Sequence, residues 1–319
     1  MRSTTIPAWV NVAPGDSAFL NDVLRGFSAP SRAIEPRWFY DRRGSQLFEA
    51  ITELPEYYVT RVERAILSAH SADIANAVGQ GRALIELGSG ASTKTPLLIA
   101  AIAPSLYVPI DISGEFLKES ADTLGRAFPM LPILPITADF MNSVTLPIRV
   151  KSKSLIGYFA GSTIGNMAVP VAVDFLRTIS GTLGEGALFL IGIDRIKDED
   201  RLLAAYDDRQ GITAQFNLNL LHRINRELDG SIPVDAFRHL SRWNESEARI
   251  EMHLQATRSA HFTIAGRSFS IAAGETIHTE NSCKYGPRDA RLLLKAGGWS
   301  PIAEWTDPEG LFALILAEN

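Results

Sequence analysis

The sequence predicts an α/β fold, with a mostly parallel sheet forming one domain and a second, smaller α+β domain set around it. Three observations predict it. Between residues 82 and 195, five apolar runs alternate with amphipathic stretches, the pattern of βα units. Each run ends in small or polar residues, as strands do where a sheet meets a ligand. From Lys197 to about Tyr285 the pattern changes to long helices and a β-ribbon, and then the α/β pattern resumes.

Taken in order, "RALIELGSG" reads as a buried strand ending in a glycine-rich turn. "STKTPLLIAAIA" follows as a helix that Ser92 or Thr93 can cap. "LYVPIDIS" is the next strand. "SGEFLKESADTLGRAF" is the next helix, with Phe116, Leu117, Leu124 and Phe128 near helical spacing. "LPILPITADF" is a third strand, and its prolines place it at an edge. "SLIGYFAGS" and "GALFLIGID" are the fourth and fifth, joined by the helix "PVAVDFLRTISGTL". In "GITAQFNLNLLHRINREL", Ile212, Phe216, Leu220, Ile224 and Leu228 share a helical face. "RIEMHLQATRSAHFTIAGRSFSIAAGETIHTENS" alternates and turns like antiparallel strands. "GPRDARLLLKAGG" is a helix with Pro287 in its first turn, and "WSPIAEWTDPEGLFALILAE" a terminal hairpin turning at Asp-Pro-Glu-Gly.

Composition narrows the function. The 319 residues are 46% hydrophobic and 21% charged, the balance of an ordinary soluble enzyme. Net charge is −5 with no basic block, which argues against a nucleic-acid surface. The single cysteine, Cys283, forms no internal disulfide or thiolate cluster and reads as a small packing residue. The N-terminus lacks the apolar core of a signal peptide, and no apolar run approaches a membrane span. A reduced, cytoplasmic setting and a monomer are expected.

The strand ends carry Glu86 with Gly88-Ser89-Gly90, then Asp111, Asp139-Phe140, Gly161 to Asn166, and Asp194. A Gly-x-Gly turn lets backbone approach a nucleoside closely, and an acid about twenty residues on reads its ribose. By itself that pattern is shared with nicotinamide enzymes. Here, however, Thr93 replaces the third glycine of the dinucleotide fingerprint. Glu86, just before the glycines, suits a cationic ligand better than a diphosphate. Asp139 and Phe140 offer an acid and a ring to an adenine. These features fit S-adenosylmethionine, which carries a sulfonium, an ammonium and no phosphate. Asn166, at the end of "GYFAGSTIGNM", can accept a hydrogen bond from a substrate amine, or satisfy its own backbone in a turn.

With these residues assembled, the chain resembles the histidine-specific Nα-methyltransferases of ergothioneine biosynthesis, nearly end to end. The strings that carry the resemblance include "RWFYDRRGSQLFEAITELPEYYVTRVE", "ELGSGASTKT", "FAGSTIGN", "AYDDRQGITAQFNLNLLHRINREL", "RIEMHL", "HTENSCKY" and "WTDPEGLFAL". The resemblance implies a Rossmann-like S-adenosylmethionine methyltransferase sheet domain at 61–195 and 286–319. It implies a substrate domain at 1–60 and 196–285. It implies three successive methyl transfers to the α-amine of histidine, giving hercynine and S-adenosylhomocysteine.

By motif, Asn166 would hold the substrate amine beside Gly161 and Thr163, and Tyr206 with Ser282 its carboxylate. Glu280 with Met252 would recognise the imidazole, unless Glu280 pairs with Lys284. Tyr57, or Tyr58 in its place, would reach the amine or carboxylate. Tyr40, Gly88, Lys94, Asp111, Asp139 and Phe140 would bind the cofactor, with Glu86, Ser89, Gly90 and Gly161 around it. Phe48 and Phe216 would help wall the pocket, and Tyr40, Tyr57 and Phe48 offer aromatic faces to a quaternary ammonium.

No metal is expected; the six histidines are scattered in sequence, and His222 and His253 read as packing residues. The chain departs from the family's loop pattern at Ala160, where a proline is expected, and at Met167, where an aromatic is expected. Competing readings are an α-amine methyltransferase for tryptophan or another amino acid, a nicotinamide-dependent dehydrogenase, and a non-catalytic amino-acid-binding protein.

Overall fold

The computed structural model describes residues 10–12 and 16–319. Its principal sheet takes strands from most of the chain. These are β1 (Val10–Val12), β2 (Ala83–Leu87), β3 (Leu106–Asp111), β4 (Ile136–Ala138), β5 (Leu155–Phe159) and β6 (Leu188–Asp194). A second group follows: β7 (Phe237–Asn244), β8 (Arg249–Ala256), β9 (Ala260–Ile264), β10 (Arg267–Ile271) and β11 (Thr276–Cys283). The terminal hairpin, β12 (Ser300–Thr306) and β13 (Phe312–Glu318), returns to the principal sheet.

The spatial order of that sheet is β1-β4-β3-β2-β5-β6-β13-β12. Strands β1 to β6 pair in parallel, and β13 runs antiparallel to β6 and β12. The chain moves outward from β2 to β3 and β4, then jumps back to lay β5 on the other side of β2. That reversal is a switch point, where the carboxyl ends of two neighbouring strands diverge and leave a crevice. The β2–β5 pairing therefore sets the Gly88–Gly90 turn beside the Gly161–Asn166 loop.

Every residue of β2, β5 and β6 is buried, as befits parallel strands covered on both faces. Alternation sends Leu84 and Tyr158 to one core and Ala83, Ile85 and Phe159 to the other. The first core is continuous with the N-terminal helices (Asp16–Ser28, Arg42–Thr52, Tyr58–Ala69) and with Phe216, Met252 and Leu254 beyond them. The smaller portion, with a β11-β8-β7 antiparallel sheet and a β9–β10 hairpin, is thus welded to one face of the principal sheet.

Four local expectations need correction. Proline-rich β4 lies second from the edge, because β1 pairs outside it. Only three residues of that segment enter the ladder, and Pro132 and Pro135 precede them. Because β1 belongs to the principal sheet, the N-terminal segment crosses the boundary expected at residue 60. Neither Ser92 nor Thr93 caps the helix Thr95–Ile102; Lys94 stands at that position with no side-chain cap. The ribbon also contains a strand, β7, that the sequence pattern does not single out. Among the described residues no helix is long and apolar enough to cross a membrane.

Candidate active site

A cavity of about 850 Å³ opens at the switch point. Its wall takes Glu86, Gly88, Ser89, Gly90 and Lys94 from the end of β2, Asp111 from β3, and Asp139 with Phe140 after β4. Gly161, Thr163 and Asn166 come from the loop after β5, Tyr40, Phe48 and Tyr57 from the N-terminal helices, and Glu280 from β11. All fifteen were expected at the site. Tyr206, Phe216, Met252 and Ser282 stand one layer behind. Tyr206 packs edge-on against Tyr57, with ring centroids 6.2 Å apart, and Phe216 packs against Tyr40 and Phe48. Met252 faces Glu280 across the β8–β11 register.

The loop after β5 shows how a short sequence makes a rigid corner. Gly161 and Ser162 both adopt left-handed backbone (φ +71° and +58°), which turns the chain sharply at the strand end. Ser162 tolerates this because it is buried and its Oγ accepts the Asp194 N–H at 2.9 Å. Asn166 ends the single helical turn Thr163–Asn166. Its side chain makes no hydrogen bond among the described residues, so the amide faces the cavity rather than satisfying a turn.

Gly165 seats this turn on β11, since a Cβ there would lie 2.8 Å from the Cys283 carbonyl oxygen. Gly165→Ala is therefore expected to push loop and strand apart and cost about 1–3 kcal/mol. Denaturant unfolding will read that loss, and an unchanged midpoint would contradict it.

The cradle on the other side is equally defined. Gly88 and Gly90 hold positive φ (+66° and +49°); a Cβ on Gly88 would press on Phe140 at 3.1 Å, and Gly90 faces open space. Asp111 ties the turn to β3 by accepting from Gly90 N and Ser113 N, both at 2.9 Å. Burial raises its carboxyl above the usual range. Lone pairs remain on its oxygens for hydroxyl donors. A small backbone-lined cradle with an acid facing it suits a nucleoside diol, so these residues fit the cofactor expected from sequence.

The expected cation partner at Glu86 is not what the structure provides. Both its oxygens accept from Thr95 Oγ1, and one also accepts from Tyr107 OH at 2.5 Å. Burial pushes this carboxyl up to about 7. Lys94 forms an ion pair with Glu63 at 2.5 Å, and Asp139 accepts from Arg37 Nη1 at 2.7 Å.

Glu63 and Arg37 are the residues sequence reasoning missed. Glu63 is fully buried and also accepts from Tyr158 OH and Gly161 N, so it anchors the start of the Asn166 loop. A signal was present: Glu63 is an acid on the apolar stripe Val59, Ile66, Leu67 of its helix. Arg37 carried no such mark.

Of the two adjacent tyrosines, Tyr57 faces the cavity, while the Tyr58 hydroxyl is turned to Asp194. The open alternative for Glu280 also resolves. Lys284 donates to Tyr206, Ser282 and Asp194, not to Glu280. The Glu280 side chain has no hydrogen-bond partner among the described residues, and burial raises its carboxyl to about 8.

The histidines are less scattered than they are in sequence. His239, His253 and His278 converge on the β7–β8–β11 sheet, with His253 and His278 stacked at 4.9 Å. Glu251 joins that pair, but it is already held by Arg249 and Asn244. His239 braces Tyr206 through its backbone oxygen at 2.8 Å.

Sheet order and a glycine cradle at the switch point define the class, a Rossmann-like α/β protein with a cavity at the carboxyl ends of its parallel strands. Residues 19–319 match a family described as histidine-specific methyltransferase, SAM-dependent. The chain belongs to that family. Two relatives named histidine N-alpha-methyltransferase are each 40% identical to it. That from Mycolicibacterium smegmatis aligns over 306 residues, covering 94% of each chain. That from Mycobacterium tuberculosis aligns over 309 residues, covering 95% of each. Among solved structures, the CcbJ methyltransferase from Streptomyces caelestis overlays with a TM-score of 0.47 at 12% identity, covering 84% of this chain and 97% of its own.

Proposed function

We propose that the enzyme transfers three methyl groups in succession from S-adenosylmethionine to the α-amino nitrogen of L-histidine, giving hercynine on the route to ergothioneine. One observation carries the choice of histidine: a buried carboxyl group, Glu280, lines the cavity with no hydrogen-bond partner among the described residues. A buried acceptor left empty costs about 1–3 kcal/mol. An imidazole N–H fills it, and an apolar side chain does not. In either protonation state an oxygen of Glu280 can accept that N–H.

The cofactor, held by the cradle of Gly88, Gly90 and Asp111, supplies an electrophilic methyl group when bound. The chain's own part is to orient and enclose. Asn166 accepts a hydrogen bond from the substrate amine and so aims its lone pair, which is the main demand of an in-line displacement. Burial raises the hydroxyls of Tyr40 and Tyr57 well above the ordinary phenol range. They therefore act as phenols that donate hydrogen bonds and present ring faces, not as bases.

Phe48 lies edge-on to both Tyr40 and Tyr57, with ring centroids 5.7 and 6.3 Å away. Such a box attracts an increasingly quaternary nitrogen by cation–π interaction and keeps it through successive transfers. On this reading, residues 61–195 and 286–319, joined by β1, carry the cofactor cradle and the Asn166 loop, and most of the remainder recognises the amino acid.

The test is mass spectrometry of reactions containing S-adenosylmethionine and an equimolar mixture of the twenty amino acids. Trimethylated histidine is the expected early product. Methylated tryptophan instead would overturn the substrate assignment and leave the fold and cofactor untouched. Cofactor binding with no methylated product would indicate a binding protein.

A further inference from the structure

Behind the cavity wall lies a buried cluster whose charges do not balance. Asp194, at the carboxyl end of β6, sits between two ammonium groups. Lys197 Nζ pairs with its Oδ1, and Lys284 Nζ with its Oδ2 at 2.8 Å. The Asp194 and Lys284 side chains are wholly buried and that of Lys197 nearly so. Burial alone would raise the Asp194 carboxyl, but Lys284 and Lys197 more than reverse this and leave it below its usual range. One carboxylate thus faces two cations, in a place where an unbalanced charge is costly. Glu280 attracts Lys284, and Asp307 attracts Lys197, only through space, and neither acid has a hydrogen bond to its lysine.

The protons of the same cluster can be counted. Lys284 has three N–H groups and uses all of them, on Asp194 Oδ2, Ser282 Oγ (2.7 Å) and Tyr206 OH (3.0 Å). Ser282 and Tyr206 are themselves 2.6 Å apart, so one hydroxyl donates to the other. Both oxygens accept from an ammonium, and one hydroxyl proton remains without an acceptor among the described residues. A hydroxyl whose oxygen accepts from a cation is a strengthened donor. The cluster therefore holds an excess positive charge and one polarised, unanswered O–H, and both call for an anion.

We propose that Lys284 is a positioning residue for the substrate's α-carboxylate. It holds Tyr206 and Ser282 in register, fixes which protons they present, and supplies the positive charge that a buried carboxylate needs. This rests on the amino-acid reading above and extends it, because it makes the carboxylate, and not only the side chain, a condition for entry. An amine lacking that group leaves the buried excess charge unanswered.

The experiment compares L-histidine with histamine, which keeps the imidazole and amine but lacks the carboxylate. Calorimetric titration of the full chain with S-adenosylhomocysteine present gives both affinities. In the unmodified protein histidine is expected to bind more tightly. Lys284→Met is expected to weaken histidine about tenfold to a hundredfold, while histamine binding stays unchanged. Equal weakening of both ligands, or no change in either, overturns the inference and leaves the functional reading intact. An unmodified protein that binds no histidine overturns the functional reading itself, and this inference with it.

Should Lys284→Met fail to fold, Lys284→Gln leaves the Asp194–Lys197 ion pair intact, keeps a polar group beside Ser282 and Tyr206, and removes only the positive charge. The same selective loss of histidine is expected from it, and equal losses for the two ligands would again count against the proposal.

Discussion

Replacing Asn166 by alanine is expected to lower kcat for histidine about a hundredfold or more, with S-adenosylhomocysteine affinity unchanged. Asn166 stands at the end of a corner fixed by the left-handed Gly161 and Ser162, by Glu63 on Gly161 N, and by the seat of Gly165 on β11. The corner survives truncation of the Asn166 side chain, because that side chain makes none of these contacts. What is lost is the acceptor that orients the amine.

Asn166→Asp keeps an acceptor oxygen and is expected to lose less than Asn166→Ala. Initial-rate kinetics with separate cofactor titrations will read this. Cofactor affinity falling in step with kcat would show that Asn166 shapes the cradle rather than the reaction.

The second large effect is expected at Glu280. Glu280→Ala removes the open acceptor and should lower kcat/KM for histidine about ten- to a hundredfold, the range for leaving a buried hydrogen-bonding group of the ligand without its partner. Rates with aromatic amino acids should fall far less, so the margin between substrates narrows. An unchanged ratio of histidine to phenylalanine rates would sink the recognition argument.

Glu280 also has a signature in stability. Burial holds its carboxyl at about 8, well above the usual carboxylate range. Between that range and pH 8 the folded chain keeps a proton that the unfolded chain has released. Stability contributed here therefore falls as pH rises, by up to ~1.4 kcal/mol per pH unit. Glu280→Gln should flatten that slope. Denaturant unfolding at pH 5.5 and 7.5, with and without the substitution, measures it.

Much of the candidate site is legible in the sequence. The carboxyl ends of parallel strands are marked by the change from apolar residues to glycine, amide or acid, and that change is local. That change singles out Glu86, Gly88, Asp111, Asp139 and Asn166, and all five line the cavity. What each one faces was not legible. Glu86 reads as an acid awaiting a cation and proves to be held by Thr95 and Tyr107. Lys94 reads as a cofactor contact and is paired to Glu63. Partners of this kind come from elements 9 to 31 residues away, which no local pattern records.

The sequence by itself determined the strand and helix pattern of the α/β portion, the position of the strand ends, and membership of a methyltransferase family. Each of these depends on periodicity or on contiguous motifs, and both survive in a linear string. Tertiary structure alone decided that β1 would cover the edge of β4, that Tyr57 rather than Tyr58 would face the cavity, and that Lys284 would turn to Asp194 and leave Glu280 open. Those outcomes follow from which buried charges meet when distant segments pack. A buried charge takes the partner that geometry brings within reach, wherever in the chain that partner lies.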